Sequence, residues 1–259
     1  MEQVLTYRNI SFTTPPPSTP VLPPMSWPVS IPVAAPVSAP TAIGPSTCPS
    51  GKFKVEVIMN FDEYAEETSY KIVQTSTNTI VDQFQGLASQ SKSRVIKSSC
   101  LDNTQMYLFV ISDSYSDGMQ GYLTPGTFEV KVNGVSKGSG GSFKREDLVM
   151  FGPAPPCNGI DKAFTIVVQT DDYGSENTYI LSRVSNGSIV SRSRGYTSNT
   201  LNLEQICLSR DDYRLRLRDS SADGMCCGYG PGYYAIYLSS ALLRKGAEFG
   251  SLETTNFTV

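Results

Sequence analysis

The chain of 259 residues contains no histidine. Histidine is the commonest general base and metal ligand near neutral pH, so its absence excludes Ser-His-Asp and Cys-His nucleophilic sites and zinc sites built on imidazole. The chain also lacks an uninterrupted apolar run of about 18 residues, which a membrane-spanning helix needs. The sequence therefore predicts neither an enzyme of these classes nor a membrane partner.

Positive charge is also scarce. Lys and Arg number 21 against 24 Asp and Glu, which gives a net charge of -3. Nucleic acids and anionic membrane surfaces select basic partners, so we expect no nucleic-acid partner. The first residues lack the charged and apolar regions of a signal peptide, and we expect any targeting peptide to be missing from this sequence.

An internal repeat organises the chain. The stretch "DSYSDGMQGYLTPG", which begins at Asp113, recurs as "DSSADGMCCGYGPG" from Asp219, 106 residues later (219 − 113). Matches further upstream are 109 residues apart, so the second copy has lost three residues. These offsets predict two homologous domains, residues 50–152 and 158–259, behind an N-terminal segment, residues 1–49.

Both copies read as β-structure. Stretches such as "FEVKVNG" and "YRLRLRD" alternate apolar and polar residues, and Gly, Asn and Ser turns separate them. No stretch has helical periodicity over three turns. The predicted fold class is all-β, with two tandem antiparallel β-sandwiches in a pseudo-twofold relation and an extended Pro-rich N-terminal arm.

The outward faces of one pair of equivalent strands differ between the copies. In the second copy this face carries Arg214, Arg216 and Arg218, whereas in the first copy it carries Leu108 and Val110. An outer face with Leu and Val is usually covered. It is either a local apolar surface under a loop or an interface with the other domain, the arm or another subunit. We take all five residues as candidate assembly-interface residues.

The arm is unusual for a tail. Residues 1–49 hold 12 of the 17 prolines and only two charged side chains. Four prolines recur every fourth residue from Pro28 to Pro40, so in an extended chain they share one face and apolar side chains share the other. Such a strand can pair with a sheet through one edge while its prolines block the opposite edge; the alternative is a polyproline linker. The candidate docking residues of the arm are Trp27, Val29, Ile31 and Val33.

The repeated turn resembles the start of a calcium-binding loop, with Asp and Ser at alternate positions. Its twelfth position is Thr124 in one copy and Gly230 in the other, where a calcium loop has Glu. We therefore expect turn capping rather than a metal site, and we expect Glu67 and Glu176 to stabilise turns. We predict no catalytic residue and no cofactor. The weak cation candidates are Asp113, Asp117, Asp219 and Asp223.

Four of the six cysteines follow the repeat. In an oxidising compartment they predict Cys48–Cys100 and Cys157–Cys207 bridges, with the adjacent cysteines of the second turn left over. In a reducing compartment all six are small, partly buried thiols. The sequence leaves both alternatives open.

The pattern D-x-Y-x-x-E-x-x-Y, then C-L, then D-S-x-x-D-G-M-C-C-x-Y-G-x-G-x-Y resembles an algal and bacterial β-sandwich module. Two copies behind a Pro-rich arm resemble the diatom pyrenoid shell proteins. The first copy departs from the pattern, because it lacks the adjacent cysteines and the G-Y-G spacing.

This resemblance implies a non-enzymatic subunit that self-assembles into a sheet or tube lattice. It implies a location in the chloroplast stroma, at the pyrenoid periphery, where the lattice encloses the Rubisco matrix and supports CO2 fixation. The expected partners are further copies of the chain and the Rubisco matrix. The alternative is a secreted carbohydrate- or calcium-binding module, which the turns and cysteines favour.

Overall fold

The computed structural model describes residues 41–259 and confirms the all-β fold. These residues contain nineteen strands and three short 3-10 helices, which are joined by turns and loops. No helix among them is long and apolar enough to cross a bilayer.

The first sandwich consists of two sheets, which we name A and B. Sheet A has the strand order β1-β5-β2-β7-β8, and sheet B has the order β4-β3-β6-β9. The strands are β1 (Thr41–Ile43), β2 (Lys52–Asn60), β3 (Thr68–Gln74), β4 (Thr79–Gln85), β5 (Arg94–Asp102), β6 (Tyr107–Asp113), β7 (Thr127–Val132), β8 (Val135–Gly140) and β9 (Glu146–Phe151).

The second sandwich repeats this arrangement with sheets C and D. Sheet C, β13-β10-β17-β18, is equivalent to sheet A, and sheet D, β12-β11-β14-β19, is equivalent to sheet B. The remaining strands, β15 and β16, form a small ribbon. The strands are β10 (Lys162–Gln169), β11 (Asn177–Arg183), β12 (Ile189–Arg192), β13 (Leu201–Leu208), β14 (Asp212–Asp219), β15 (Cys226–Cys227), β16 (Gly230–Pro231), β17 (Tyr233–Leu238), β18 (Ala241–Gly246) and β19 (Leu252–Thr258).

Strand β1 lies inside the segment that the sequence assigned to the arm. It pairs in parallel with β5, as Thr41 opposite Val95 and Ile43 opposite Lys97. The end of the arm therefore extends sheet A by one edge strand, and the first sandwich begins before residue 50. Sheet C has no counterpart of this strand among the described residues.

Side-chain alternation gives each sandwich its own core. In β6, Tyr107, Phe109 and Ile111 point between sheets A and B, where they join an aromatic-rich cluster. In β14, the equivalent Tyr213 and Leu215 are fully buried between sheets C and D. Because successive strand residues face opposite ways, the residues between these core positions lie on the outer faces of the sheets.

A third apolar cluster joins the two sandwiches. It packs the outer face of sheet B, with Leu108 and Val110, against the outer face of sheet C, with Val167 and Tyr237. Further members of this cluster are Met106, Leu148, Met150, Tyr233 and Ala235.

This contact corrects the pseudo-twofold prediction. Sheet C is equivalent to sheet A, so the chain joins non-equivalent faces of its two copies, whereas a twofold joins equivalent faces. The physical reason is divergence of the outer faces. Where sheet C presents Val167 and Tyr237, sheet A presents Ile58 and Lys131; where sheet B presents Val110, sheet D presents Arg216.

Candidate functional site

The Asp-Gly turn of the first copy is built around Asp113. Its Oδ1 accepts hydrogen bonds from the backbone N–H groups of Tyr115 (2.9 Å), Ser116 (2.5 Å) and Asp117 (3.3 Å). This is the turn capping that the sequence predicted. Gly118 follows with φ of +76°, and a Cβ there would lie 2.3 Å from the carbonyl oxygen of Phe143, so only glycine fits.

The turn of the second copy has the same construction. Oδ1 of Asp219 accepts hydrogen bonds from the N–H groups of Ser221 (2.8 Å) and Ala222 (2.7 Å). Gly224 has φ of +82° and meets the carbonyl oxygen of Phe249 in the same way. The duplication has therefore kept the turn geometry in both copies.

Strand pairing brings a third carboxylate to each turn. Thr68 of β3 lies opposite Asp113, so the preceding Glu67 reaches the turn. One carboxylate oxygen each of Glu67, Asp113 and Asp117 lie within 4.8 Å of one another, and we name this set acidic cluster 1.

The second copy forms the same set, which we name acidic cluster 2. Asn177 lies opposite Asp219, and the preceding Glu176 joins Asp219 and Asp223 within the same limit of 4.8 Å. The four aspartates that the sequence singled out thus lie in two separate clusters, one in each sandwich. The sequence predicts only turn stabilisation for Glu67 and Glu176, whereas the structure also brings them into these clusters.

Burial and mutual repulsion act on these carboxyl groups. Burial raises the pKa of Asp113, with a further contribution from the charge of Asp117, although backbone hydrogen bonds oppose the shift. Burial likewise raises the pKa of Asp219, and the charges of Asp223 and Glu176 add to this effect. Within residues 41–259, no Lys or Arg forms an ion pair with either cluster.

A cleft of about 540 Å³ lies where the two sandwiches meet. Sheet B contributes Lys71, Val110 and Glu146 to its wall, and sheet C contributes Tyr233. Burial raises the pKa of Glu146 to about 7, although the positive charges of Arg145, Lys71 and Lys245 act in the opposite direction. No pattern in the sequence marks Glu146, because its burial depends on the contact between the sandwiches.

Glu146 should make the chain less stable as the pH rises. Its folded pKa lies above its ordinary value, so between about pH 4.5 and pH 7 the unfolded chain releases a proton that the folded chain retains. Glu146→Gln should remove this dependence and raise the free energy of unfolding at pH 8 by about 1–3 kcal/mol, with little change at pH 4.5. Chemical denaturation of both proteins at the two pH values measures the difference; an equal gain at both would contradict the assignment.

The six cysteines form three pairs. Cys48–Cys100 and Cys157–Cys207 are disulfides at equivalent places in the two sandwiches, as one of the two sequence alternatives predicted. Cys226 and Cys227 pair with each other. This vicinal pair lines a second cleft of about 450 Å³, together with Tyr233, Tyr234 and Phe143 among other residues.

The candidate assembly residues occupy different environments. Leu108 and Val110 are almost fully buried under the second sandwich, so the other domain is the cover that this face requires. Arg214 and Arg218 are exposed and Arg216 is half-buried on the outer face of sheet D. The arm candidates, Trp27, Val29, Ile31 and Val33, lie outside the described residues.

Comparison with known proteins identifies no relative. No family model matches the chain, and no curated protein or solved structure that was compared with it matches either. The function is therefore inferred from the geometry of the chain itself.

Proposed function

We propose that the chain is a structural subunit that assembles with further copies of itself into a protein sheet or tube. On the resemblance to diatom pyrenoid shell proteins, this layer encloses the Rubisco-containing pyrenoid in the chloroplast stroma and supports CO2 fixation. The observation that carries the proposal is the packing of sheet B against sheet C, which are non-equivalent faces of homologous sandwiches. Such heterologous contacts extend when repeated unless the rotation closes a ring.

The equivalents of both packed faces are the two outermost faces of the described unit. The outer face of sheet A is equivalent to that of sheet C, and the outer face of sheet D is equivalent to that of sheet B. If sheet A of a second chain packs on sheet D of the first, it repeats between chains the arrangement that already exists within one. This gives one direction of growth for a lattice.

The chemistry of these outermost faces suits a contact between chains. Sheet D presents Arg214, Arg216 and Arg218, and Nε of Arg216 is buried without an acceptor among the described residues. Sheet A presents Glu56 and Glu129, each in an ion pair with a lysine of its own strand. A carboxylate from a neighbouring chain would supply the acceptor that Arg216 lacks, and opposite charges would fix the register of the contact.

Reversing the charge of the arginine face tests this proposal. Arg216→Glu should raise the protein concentration needed for assembly at least about tenfold, because it replaces an attraction between chains by repulsion. Sedimentation velocity across a concentration series measures the effect, and circular dichroism checks that the variant is folded. Arg210→Glu, which changes an exposed loop residue between β13 and β14, is the matched control.

A charge swap makes the test specific to the two faces. Adding Glu56→Arg and Glu129→Arg to the Arg216→Glu variant should restore part of the assembly, since the repulsion becomes attraction again. Unchanged assembly in Arg216→Glu alone would refute the contact between sheets A and D.

The cysteine pairs favour a second candidate, a secreted binding module. Disulfides form and persist mainly in oxidising compartments. The second cleft places the partly exposed Phe143 beside the vicinal pair, which suits the apolar face of a sugar ring. Alkylation of free thiols during isolation, followed by mass spectrometry, separates the candidates. Six alkylated cysteines fit the stroma, whereas six cysteines that stay unalkylated because they form disulfides fit secretion.

A further inference from the structure

The two acidic clusters are the strongest unexplained feature of the chain. Each brings three carboxylates together at an equivalent place, and no ion pair within the described residues balances them. A cluster of acids alone is common on protein surfaces. The feature that indicates a ligand is the buried member of each cluster.

That buried member carries an oxygen with no hydrogen-bond donor. Asp113 is 4% exposed and Asp219 is 2% exposed. Oδ1 of each accepts backbone N–H groups, whereas Oδ2 of each is buried and has no partner among the described residues. A buried carboxylate oxygen without a partner is costly, and the same cost recurs in both copies.

We propose that each acidic cluster binds one Ca²⁺ ion, so that the chain carries two. A cation supplies at once the partner that Oδ2 lacks and the positive charge that the cluster lacks. Two oxygens on one Ca²⁺ lie at most about 5 Å apart, twice the ordinary Ca–O distance, and the oxygens of each cluster fall within 4.8 Å.

Ca²⁺ fits these clusters better than Mg²⁺. All the side-chain ligands are carboxylates, which are hard oxygen donors, and each cluster joins an exposed turn to a half-buried residue. Ca²⁺ tolerates such irregular, flexible coordination and takes 6–8 oxygens, whereas Mg²⁺ requires a near-ideal octahedron. Waters and turn carbonyls would complete the shell.

The ligands come from two separate segments, at the ends of two paired strands, rather than from one loop. In a calcium loop of the EF-hand type, the acidic residue at position twelve closes the site. Here the closing acid, Glu67 or Glu176, precedes the strand that pairs with the aspartate. The missing Glu at position twelve of the turn therefore does not argue against a site.

Stoichiometry tests the proposal. Isothermal titration of the full, EDTA-dialysed chain with CaCl2 should give two ions per chain, one in Asp117→Asn, one in Asp223→Asn and none in the double variant. Both substitutions change exposed side chains and leave the capping aspartates in place. The matched control is Asp102→Asn, whose carboxylate caps the turn to Thr104 outside both clusters and should leave two ions.

Thermal unfolding gives a second test, because the effect of these substitutions on the melting temperature should reverse between EDTA and CaCl2. In EDTA, Asp117→Asn and Asp223→Asn should melt at or above the temperature of the unmodified chain, because each removes repulsion. In CaCl2 at about 100 times the dissociation constant, both variants should melt several degrees below the unmodified chain, since each has lost one bound ion.

Several results would contradict the proposed calcium sites. The absence of any heat or melting shift in millimolar CaCl2, or two ions still bound by the double variant, would overturn the proposal. Equal affinity for MgCl2 would overturn the assignment to calcium. Neither result bears on assembly through sheets A and D, which is measured separately.

Discussion

Val110→Arg should separate the two sandwiches while leaving both folded. Val110 is 1% exposed and belongs to the apolar contact between sheets B and C, where it also lines the first cleft. The equivalent residue of the second copy is Arg216, so a sandwich of this type folds with arginine at this position. The variant loses about 1.5–3 kcal/mol of apolar burial and brings a long charged side chain into the packed contact.

Val110→Arg can destabilise the chain by no more than the free energy of the contact between sheets B and C, because opening that contact returns the arginine to water. Calorimetry should therefore show two separate melting transitions in place of one, and small-angle scattering should show a larger radius of gyration. The reciprocal change, Arg216→Val, alters the outermost face of sheet D and should leave a single transition. One unchanged transition in Val110→Arg would mean that the sandwiches are not coupled through this face.

Removing the Cys48–Cys100 disulfide should destabilise the first sandwich strongly. The bridge joins residues 52 apart in the chain and ties the segment after β1 to β5. On chain entropy alone, a loop of this length corresponds to about 4 kcal/mol, within a usual range of about 2–5 kcal/mol. The Cys48→Ser/Cys100→Ser variant should melt more than about 10 °C lower, as measured by calorimetry under non-reducing conditions.

The vicinal pair provides the control. Cys226 and Cys227 are adjacent, so their bridge closes almost no loop and restricts the unfolded chain little. The Cys226→Ser/Cys227→Ser variant should therefore keep a melting temperature within a few degrees of the unmodified chain. Equal losses in the two variants would show that loop closure is not the main contribution.

The fold was predictable because equivalent positions of the two copies can be compared with each other. Alternation in "YRLRLRD" separates a core face from an arginine face, and the same positions in the first copy place Leu108 and Val110 outside the core. This comparison predicts that the apolar outer face is covered. It does not predict which surface covers it, because Val167 and Tyr237 belong to strands that are apolar on both faces and give no sign of two separate contacts.

The acidic clusters were only half predictable. Asp113 and Asp117 are close in sequence, so their proximity follows from the turn itself. Glu67 joins them only through the register of β3 against β6, and a shift of one residue would point it away. The recurrence of Glu67 as Glu176 at the repeat offset was the one available signal, but recurrence alone does not distinguish a ligand from a turn residue.

The central claim, that one chain packs on the next through its outermost sheets, is tested most directly by light scattering together with negative-stain microscopy. Purified protein should grow with concentration from a subunit of 28.2 kDa into sheets or tubes, without added Rubisco. The repeat along one direction should match the length of one pair of sandwiches. A single, sharp monomer mass across the whole concentration range, with no extended particles on the grid, would contradict the claim.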